Sequence, residues 1–324
     1  MIETVLGPVE ADSLGPVSMH EHLLSDASAL GIPDVVLDDA DLATTELRRA
    51  AGAWRASSPD SLAIKSGEEA LLPAVVDPSV WGFGGPAAGL AEISRVSGVA
   101  IVAGVGAYVP RTRPGWLAEM DEDGLYELFL RGLTEGLPGC DFKAGIVGML
   151  SPGFPLDDGE RALLRAGARA AAETGSAAII RLDPRRRDGP EVLAMTSAAG
   201  LSPERVVFSN VDGYARDLEP LRELAEAGAT LKWCFGYEAP PRPGLATATD
   251  AERADALVAL WAEGHRRQVI ACGIWTSAAL HAHGGWGYDH LPVTVLPMLR
   301  TRGLDSTDLS ELLLTEPRRL LNRP

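Results

Sequence analysis

The residues best placed to do chemistry are His20 and His22, in the run Met19-His20-Glu21-His22 that ends an apolar segment. On a β-strand, residues two apart point to one face. Both imidazoles would therefore converge, and Glu21 would face the opposite way. Two converging imidazoles can grip one metal ion, or carry protons without one. The simplest alternative is a pair of histidines hydrogen-bonded at a polar strand end.

The elements that must position this pair are apolar runs of strand length at 17–20, 74–77, 100–104, 144–149, 178–182, 206–210, 230–233 and 269–273. These runs are largely continuous in Val, Ile, Leu and Ala, as in strands covered on both faces. Amphipathic helical stretches lie between them, among them 43–56, 87–96, 125–134, 158–174, 218–227 and 250–265. Gly175, Gly200 and Gly228 each stand where a left-handed residue closes a helix. Eight strands separated by helices imply parallel pairing and an α/β fold of the (β/α)8 TIM-barrel type, as a single domain over residues 1–324. An open doubly wound sheet is the alternative, but no GxGxxG follows the first strand. Pro- and Gly-rich stretches at 77–86, 108–116, 183–190, 235–248 and 281–288 each follow a strand. They belong to the C-terminal face, where barrel enzymes build their sites.

Asp and Glu total 45 against 29 Lys and Arg, a formal charge of -16. Such a chain repels nucleic acid and anionic membranes, so the expected partner is a small-molecule substrate. Cys140, Cys234 and Cys272 are widely spaced and form no CxxC, which argues against a disulfide framework or a structural zinc site. No basic-then-apolar leader opens the chain, and no apolar run approaches the length of a membrane span. A cytoplasmic location is the expectation.

The segment Thr4-Val5-Leu6-Gly7-Pro8 with Leu14-Gly15-Pro16-Val17-Ser18-Met19-His20-Glu21-His22-Leu23 resembles the opening of phosphotriesterase-like proteins of the amidohydrolase superfamily. Val75-Val76-Asp77-Pro78-Ser79, Lys143-Ala144-Gly145-Ile146-Val147-Gly148 and His281-Ala282-His283-Gly284-Gly285-Trp286-Gly287-Tyr288-Asp289 continue the likeness along the whole chain. The resemblance implies the barrel and a homodimer. It also implies two divalent metals held by the HxH pair, a bridging Lys or Glu on strand four, a His on each of strands five and six, and an Asp on strand eight. The HxH pair matches His20 and His22. The bridging position falls at Gly148 or Met149, with Lys143 too early. The two His positions fall at Arg181 and at Asn210, in Ser209-Asn210-Val211-Asp212. The Asp position falls at Gly273, in Ala271-Cys272-Gly273-Ile274-Trp275.

Two divalent cations need anionic bridges to neutralise them, whereas these positions offer two neutral imidazoles and a guanidinium that repels a cation. A metal-free pocket without cofactor is the expectation. A single zinc on His20, His22 and water is the alternative.

Arg181, Asn210, Lys232, Asp183 and Asp212 are expected at strand ends facing the mouth. Arg181 suits a carboxylate, phosphate or developing oxyanion, and its competing role is a salt bridge to Asp183 or Asp212. Cys234 could be a nucleophile but reads more simply as a small apolar residue, and Cys272 as core. Trp81, Phe83, Tyr108, Trp116, Trp233, Phe235, Tyr237, Trp275, Trp286 and Tyr288 gather in the same loops, as for a largely apolar ligand. Trp233 and Trp275, at strand ends, are expected to face the pocket. The expected protein is then an enzyme, hydrolase-like or a repurposed lyase, isomerase or cyclase, acting by acid/base chemistry on a small, partly apolar molecule that bears a carbonyl, ester, lactone or carboxylate. His20 and His22 carry protons, Arg181 or Asn210 holds an oxyanion or carboxylate, and Trp233, Trp275, Lys232, Asp212, Cys234 and Tyr108 contact the substrate. A single-metal lactonase or esterase and a catalytically inactive small-molecule-binding homologue are the alternatives.

Overall fold

The computed structural model describes residues 1–57, 71–85, 88–236 and 248–323. Its main sheet has 8 strands in sequence order. They are β1 (Leu14–Ser18), β2 (Leu72–Asp77), β3 (Ala100–Val105), β4 (Ile146–Leu150), β5 (Ala178–Arg181), β6 (Val206–Ser209), β7 (Thr230–Cys234) and β8 (Gln268–Ala271). Every neighbouring pair is parallel. Backbone bonds join the last strand to the first: Met19 N–H to Ile270 O at 3.1 Å, Gly273 N–H to His20 O at 2.9 Å, and His22 N–H to Ile274 O at 2.9 Å. The barrel is thereby closed, and among the described residues its eight strands leave no open sheet edge.

The period of two along each strand divides the core. Val17, Val76, Val102, Ile146, Ile179, Val207 and Val269 fill the interior. Val75, Ile101, Val147, Ile180, Phe208, Leu231 and Ile270 point outward. There they meet Leu47, Phe129, Leu163, Leu221, Leu257 and Leu260 of the helix ring. The ring includes α1 (Ala40–Ser57), α2 (Leu90–Ser97), α3 (Glu122–Thr134), α4 (Asp158–Thr174), α5 (Gly189–Ala198), α6 (Glu219–Glu226) and α7 (Asp250–Ala262). Strands covered on both faces explain the continuous apolar runs. Ile2, from an N-terminal hairpin of Ile2–Thr4 with Gly7–Val9, joins Leu320 and Leu321 in the interior cluster.

Helix starts follow local chemistry. The Asp121 carboxylate accepts the Gly124 N–H ahead of α3, and Thr249 with Glu252 forms a capping box on α7. Helix α5 begins inside the stretch 183–190 that reads as loop, because Pro190 occupies its first turn. Helix α4 ends on Gly175 in the left-handed conformation.

Candidate active site

Beyond β1 the backbone stays paired with the segment after β8, so His20 and His22 keep strand parity and share a face. Their Nε2 atoms are 2.9 Å apart and their rings are nearly perpendicular, at 75°. Behind His20 lies Lys232 of β7, whose Nζ is hydrogen-bonded to His20 Nδ1. Behind His22 lies Ser79, from the loop after β2, with its Oγ 2.8 Å from Nδ1. The four side chains form one unbroken chain, Lys232–His20–His22–Ser79, and all four residues are buried. Glu21 points the other way, as expected. Its carboxylate accepts the Ser18 hydroxyl and the N–H groups of Cys272 and Ile274, which ties β1 to the segment after β8.

Burial dominates the electrostatics of this chain. It holds His20 well below the usual imidazole range, helped by the charge of Lys232 and by His22. It pushes His22 down to about 3, again with Lys232 assisting. Both imidazoles are therefore neutral near pH 7. Burial also lowers Lys232 to about 8.

Ser79 was not among the residues singled out from sequence. The signal was the Asp77-Pro78-Ser79 turn: Asp77 Oδ1 accepts the Ser79 N–H at 2.8 Å, and Oδ2 accepts the Leu23 N–H at 3.0 Å. The Asp77 carboxylate thus fixes both the loop that carries Ser79 and the chain just past His22. Burial raises it to about 6.

On β7, Lys232 lies on the inward face and Trp233 does not. Trp233 is fully buried among the outward-facing residues, and its Nε1–H donates to Gln268 at 2.7 Å. The expectation that Trp233 lines the pocket is corrected. It lies between Lys232 and Cys234, so strand parity turns it toward the helices. Cys234 shares the face of Lys232, but burial pushes its thiol up to about 12, which removes it as a thiolate nucleophile. Its backbone N–H bonds the Asp212 carboxylate, which burial raises and which lies 4.0 Å from the Arg253 guanidinium.

Arg181 ends β5, two residues after the interior Ile179, and so faces the barrel mouth, where it is half-buried. Neither expected salt bridge forms. Asp183 binds Arg185 through both carboxylate oxygens, at 2.9 and 2.6 Å, and Asp212 lies against Arg253. Among the described residues, Arg181 makes no ion pair and no side-chain hydrogen bond. Asn210 adopts the left-handed conformation at φ 66° and accepts the Ser209 hydroxyl at 3.0 Å.

The aromatic wall is smaller than its sequence suggests. Phe83 lies over His22 with ring centroids 4.4 Å apart. Tyr108 meets Phe83 edge-on at 4.7 Å, and Trp275 lies 6.0 Å from it. Phe235 packs in the outer core, Tyr288 is buried with its hydroxyl on the His22 carbonyl, and Trp116 pairs with Trp81. Tyr237 lies outside the described residues.

Among the described residues, no carboxylate joins His20 and His22 to bridge a pair of divalent cations. Among the described residues, no three His, Cys, Asp or Glu side chains converge. A bridging side chain at position 148 has no room: Gly148 is at φ +113°, and a Cβ there would lie 2.5 Å from the Ile179 carbonyl oxygen. Met149 joins the apolar interior, and Gly273 offers no ligand.

A closed eight-stranded parallel barrel with a polar cluster at the C-terminal ends of its strands is the arrangement on which barrel enzymes build their sites. The sequence model of the phosphotriesterase family matches residues 1–321, and the chain belongs to that family. It is similar to the N-acetyltaurine hydrolase of Tetraodon nigroviridis, with 28% identity over 99% of this chain and 97% of the relative. Among solved structures it is similar to a resiniferatoxin-binding protein from Rhodobacter sphaeroides, with a TM-score of 0.86 and 26% identity over 99% of this chain and 94% of that one. The fold also matches a lactonase from Listeria monocytogenes, with a TM-score of 0.85 and 19% identity over 100% of this chain and 99% of that one. Family membership and full-length hydrolase relatives support a hydrolase-like enzyme.

Proposed function

We propose that this enzyme works without a divalent metal. In this reading it acts by acid/base chemistry on a small, partly apolar molecule with an acyl group (a carbonyl, ester or lactone) and a carboxylate or similar anion. The observation that carries the reading is the hydrogen-bonded chain Lys232–His20–His22–Ser79, which stands where two convergent imidazoles would otherwise face a cation. Neutral imidazoles accept a proton from an attacking water and return one to the leaving group. Arg181, without a protein partner among the described residues, is available for the anionic end of the substrate. Asn210 carries amide N–H groups that can hold a developing oxyanion. Phe83, Tyr108 and Trp275 supply an apolar wall. N-acetyltaurine, the compound in the relative's name, combines an acyl group with an anion, the two features this site can address.

The test is turnover of N-acylated amino acids and amino sulfonates, aryl esters and lactones, with and without chelator, alongside elemental analysis of the purified protein. The expected result is turnover that a chelator does not change. Stoichiometric zinc together with chelator-sensitive turnover rejects the reading. The 2.9 Å between the two Nε2 atoms supports a second reading, one zinc on His20, His22 and water, and that result would be its signature.

A further inference from the structure

We infer that Lys232 is a positioning residue that fixes the tautomers of His20 and His22, making the pair a directed proton relay and denying a metal ion the lone pair of His20 Nε2. The inference rests on the metal-independent reading above and assigns it to one side chain.

A lysine ammonium has three N–H donors and no acceptor. Lys232 Nζ is bonded to His20 Nδ1, so that nitrogen accepts. A neutral imidazole carries its single proton on the other nitrogen, which puts it on His20 Nε2. Facing it at 2.9 Å is His22 Nε2, which must then accept. The proton of His22 is left on Nδ1, where it donates to Ser79 Oγ at 2.8 Å. The three bonds then run in one direction, from Lys232 through His20 and His22 to Ser79.

A histidine that ligates a metal through Nε2 needs the opposite arrangement. Its Nδ1–H donates to an acceptor behind it, commonly a carboxylate or a backbone carbonyl, and that bond leaves the Nε2 lone pair free. Lys232 puts a donor, and a positive charge, in the acceptor's place. The fully buried ammonium thus works against a cation twice, through the tautomer it imposes and through its charge. When a substrate and water open the bond between the rings, a donor N–H on His20 and an accepting lone pair on His22 are presented side by side. Acid and base are assigned before the substrate arrives.

The test uses the full chain, labelled with 15N-histidine, and two-bond 1H–15N correlation spectra. The chain has 6 histidines, so His20 and His22 can be assigned by single substitutions. The expected result is a protonated Nε2 on His20 and a protonated Nδ1 on His22 in the wild type, and loss of that pattern at His20 in Lys232→Met. In parallel, Co2+ is titrated into the wild type and into Lys232→Glu, which restores an acceptor behind His20. Lys232→Glu is expected to bind Co2+ about tenfold or more tighter than the wild type. If Lys232→Glu does not fold, the Lys232→Met spectra decide alone. Co2+ bound equally well by the wild type and Lys232→Glu, or a wild-type His20 protonated on Nδ1, overturns the inference. With chelator-insensitive turnover, either result leaves the metal-independent reading standing. Chelator-sensitive turnover overturns that reading instead, whatever tautomer the spectra show.

Discussion

Arg181 and Asp183 stand two residues apart at the end of β5, yet they do not pair: the Asp183 carboxylate turns to Arg185 and takes it with both oxygens. Hydrogen bonding from Arg185 is the main reason Asp183 is held below the usual carboxylate range, and the charge of Arg181 adds only a smaller effect. In the proposed reading Arg181 holds the anionic end of the substrate, so its loss should cost binding rather than folding. Arg181→Met is expected to weaken binding of a carboxylate or sulfonate ligand by about 10- to 100-fold, the loss of one charge-assisted hydrogen-bonded pair. Calorimetric titration and thermal melting check this together. A variant that binds as before, or that melts much earlier, contradicts the assignment.

His20 and His22 act as one unit in the proposed relay. Single changes, His20→Asn or His22→Asn, are expected to lower kcat by roughly 10²–10⁴-fold. The double variant should be hardly worse than the poorer single one, because breaking the relay at either ring stops it. Steady-state kinetics on the three variants decide. Losses that multiply would mean the rings act independently.

Asp77 makes stability depend on pH. Its carboxyl titrates at about 6 in the fold, raised by burial from 3.8. Between those values the folded state holds the proton more tightly than the unfolded chain, so stability falls as pH rises. The contribution is complete below the unfolded value and lost above about pH 6, a total of about 3 kcal/mol. Asp77→Asn should remove this part of the pH dependence, whatever constant offset it adds. Urea unfolding at several pH values from 4 to 7 is the measurement, and parallel curves for the two proteins would refute the prediction.

Trp233 serves the fold. Trp233→Phe keeps most of the ring but strips Gln268 Oε1 of its donor inside the outer core. A stability loss of roughly 1–3 kcal/mol is expected, with KM unchanged. A raised KM at unchanged stability would return Trp233 to the pocket.

Much of the barrel was legible because its strands are short, continuous and apolar, and because two-residue parity survives from one to the next. The same parity carried the convergence of His20 with His22 and the opposed direction of Glu21. It would also have turned Trp233 outward, since Lys232 and Cys234 flank it. Reading Trp233 by its place near a strand end, instead of by its parity, produced that error. The aromatic wall was overestimated for a related reason: aromatic residues in loops cover a barrel as readily as they line its mouth.

The sequence by itself determined the alternation of elements and the family. Those features are local, set by side-chain type and period. Only the tertiary structure decided what the surviving histidines touch. Lys232 is 212 residues from His20 and Ser79 is 57 from His22, and barrel closure brings them together. It also decided that Arg185 takes Asp183 and that Arg181 goes without it, because turn geometry after β5 aims one guanidinium at the carboxylate and the other at the mouth. Partner choice among like-charged neighbours depends on direction and distance, and neither is carried by residue type or spacing.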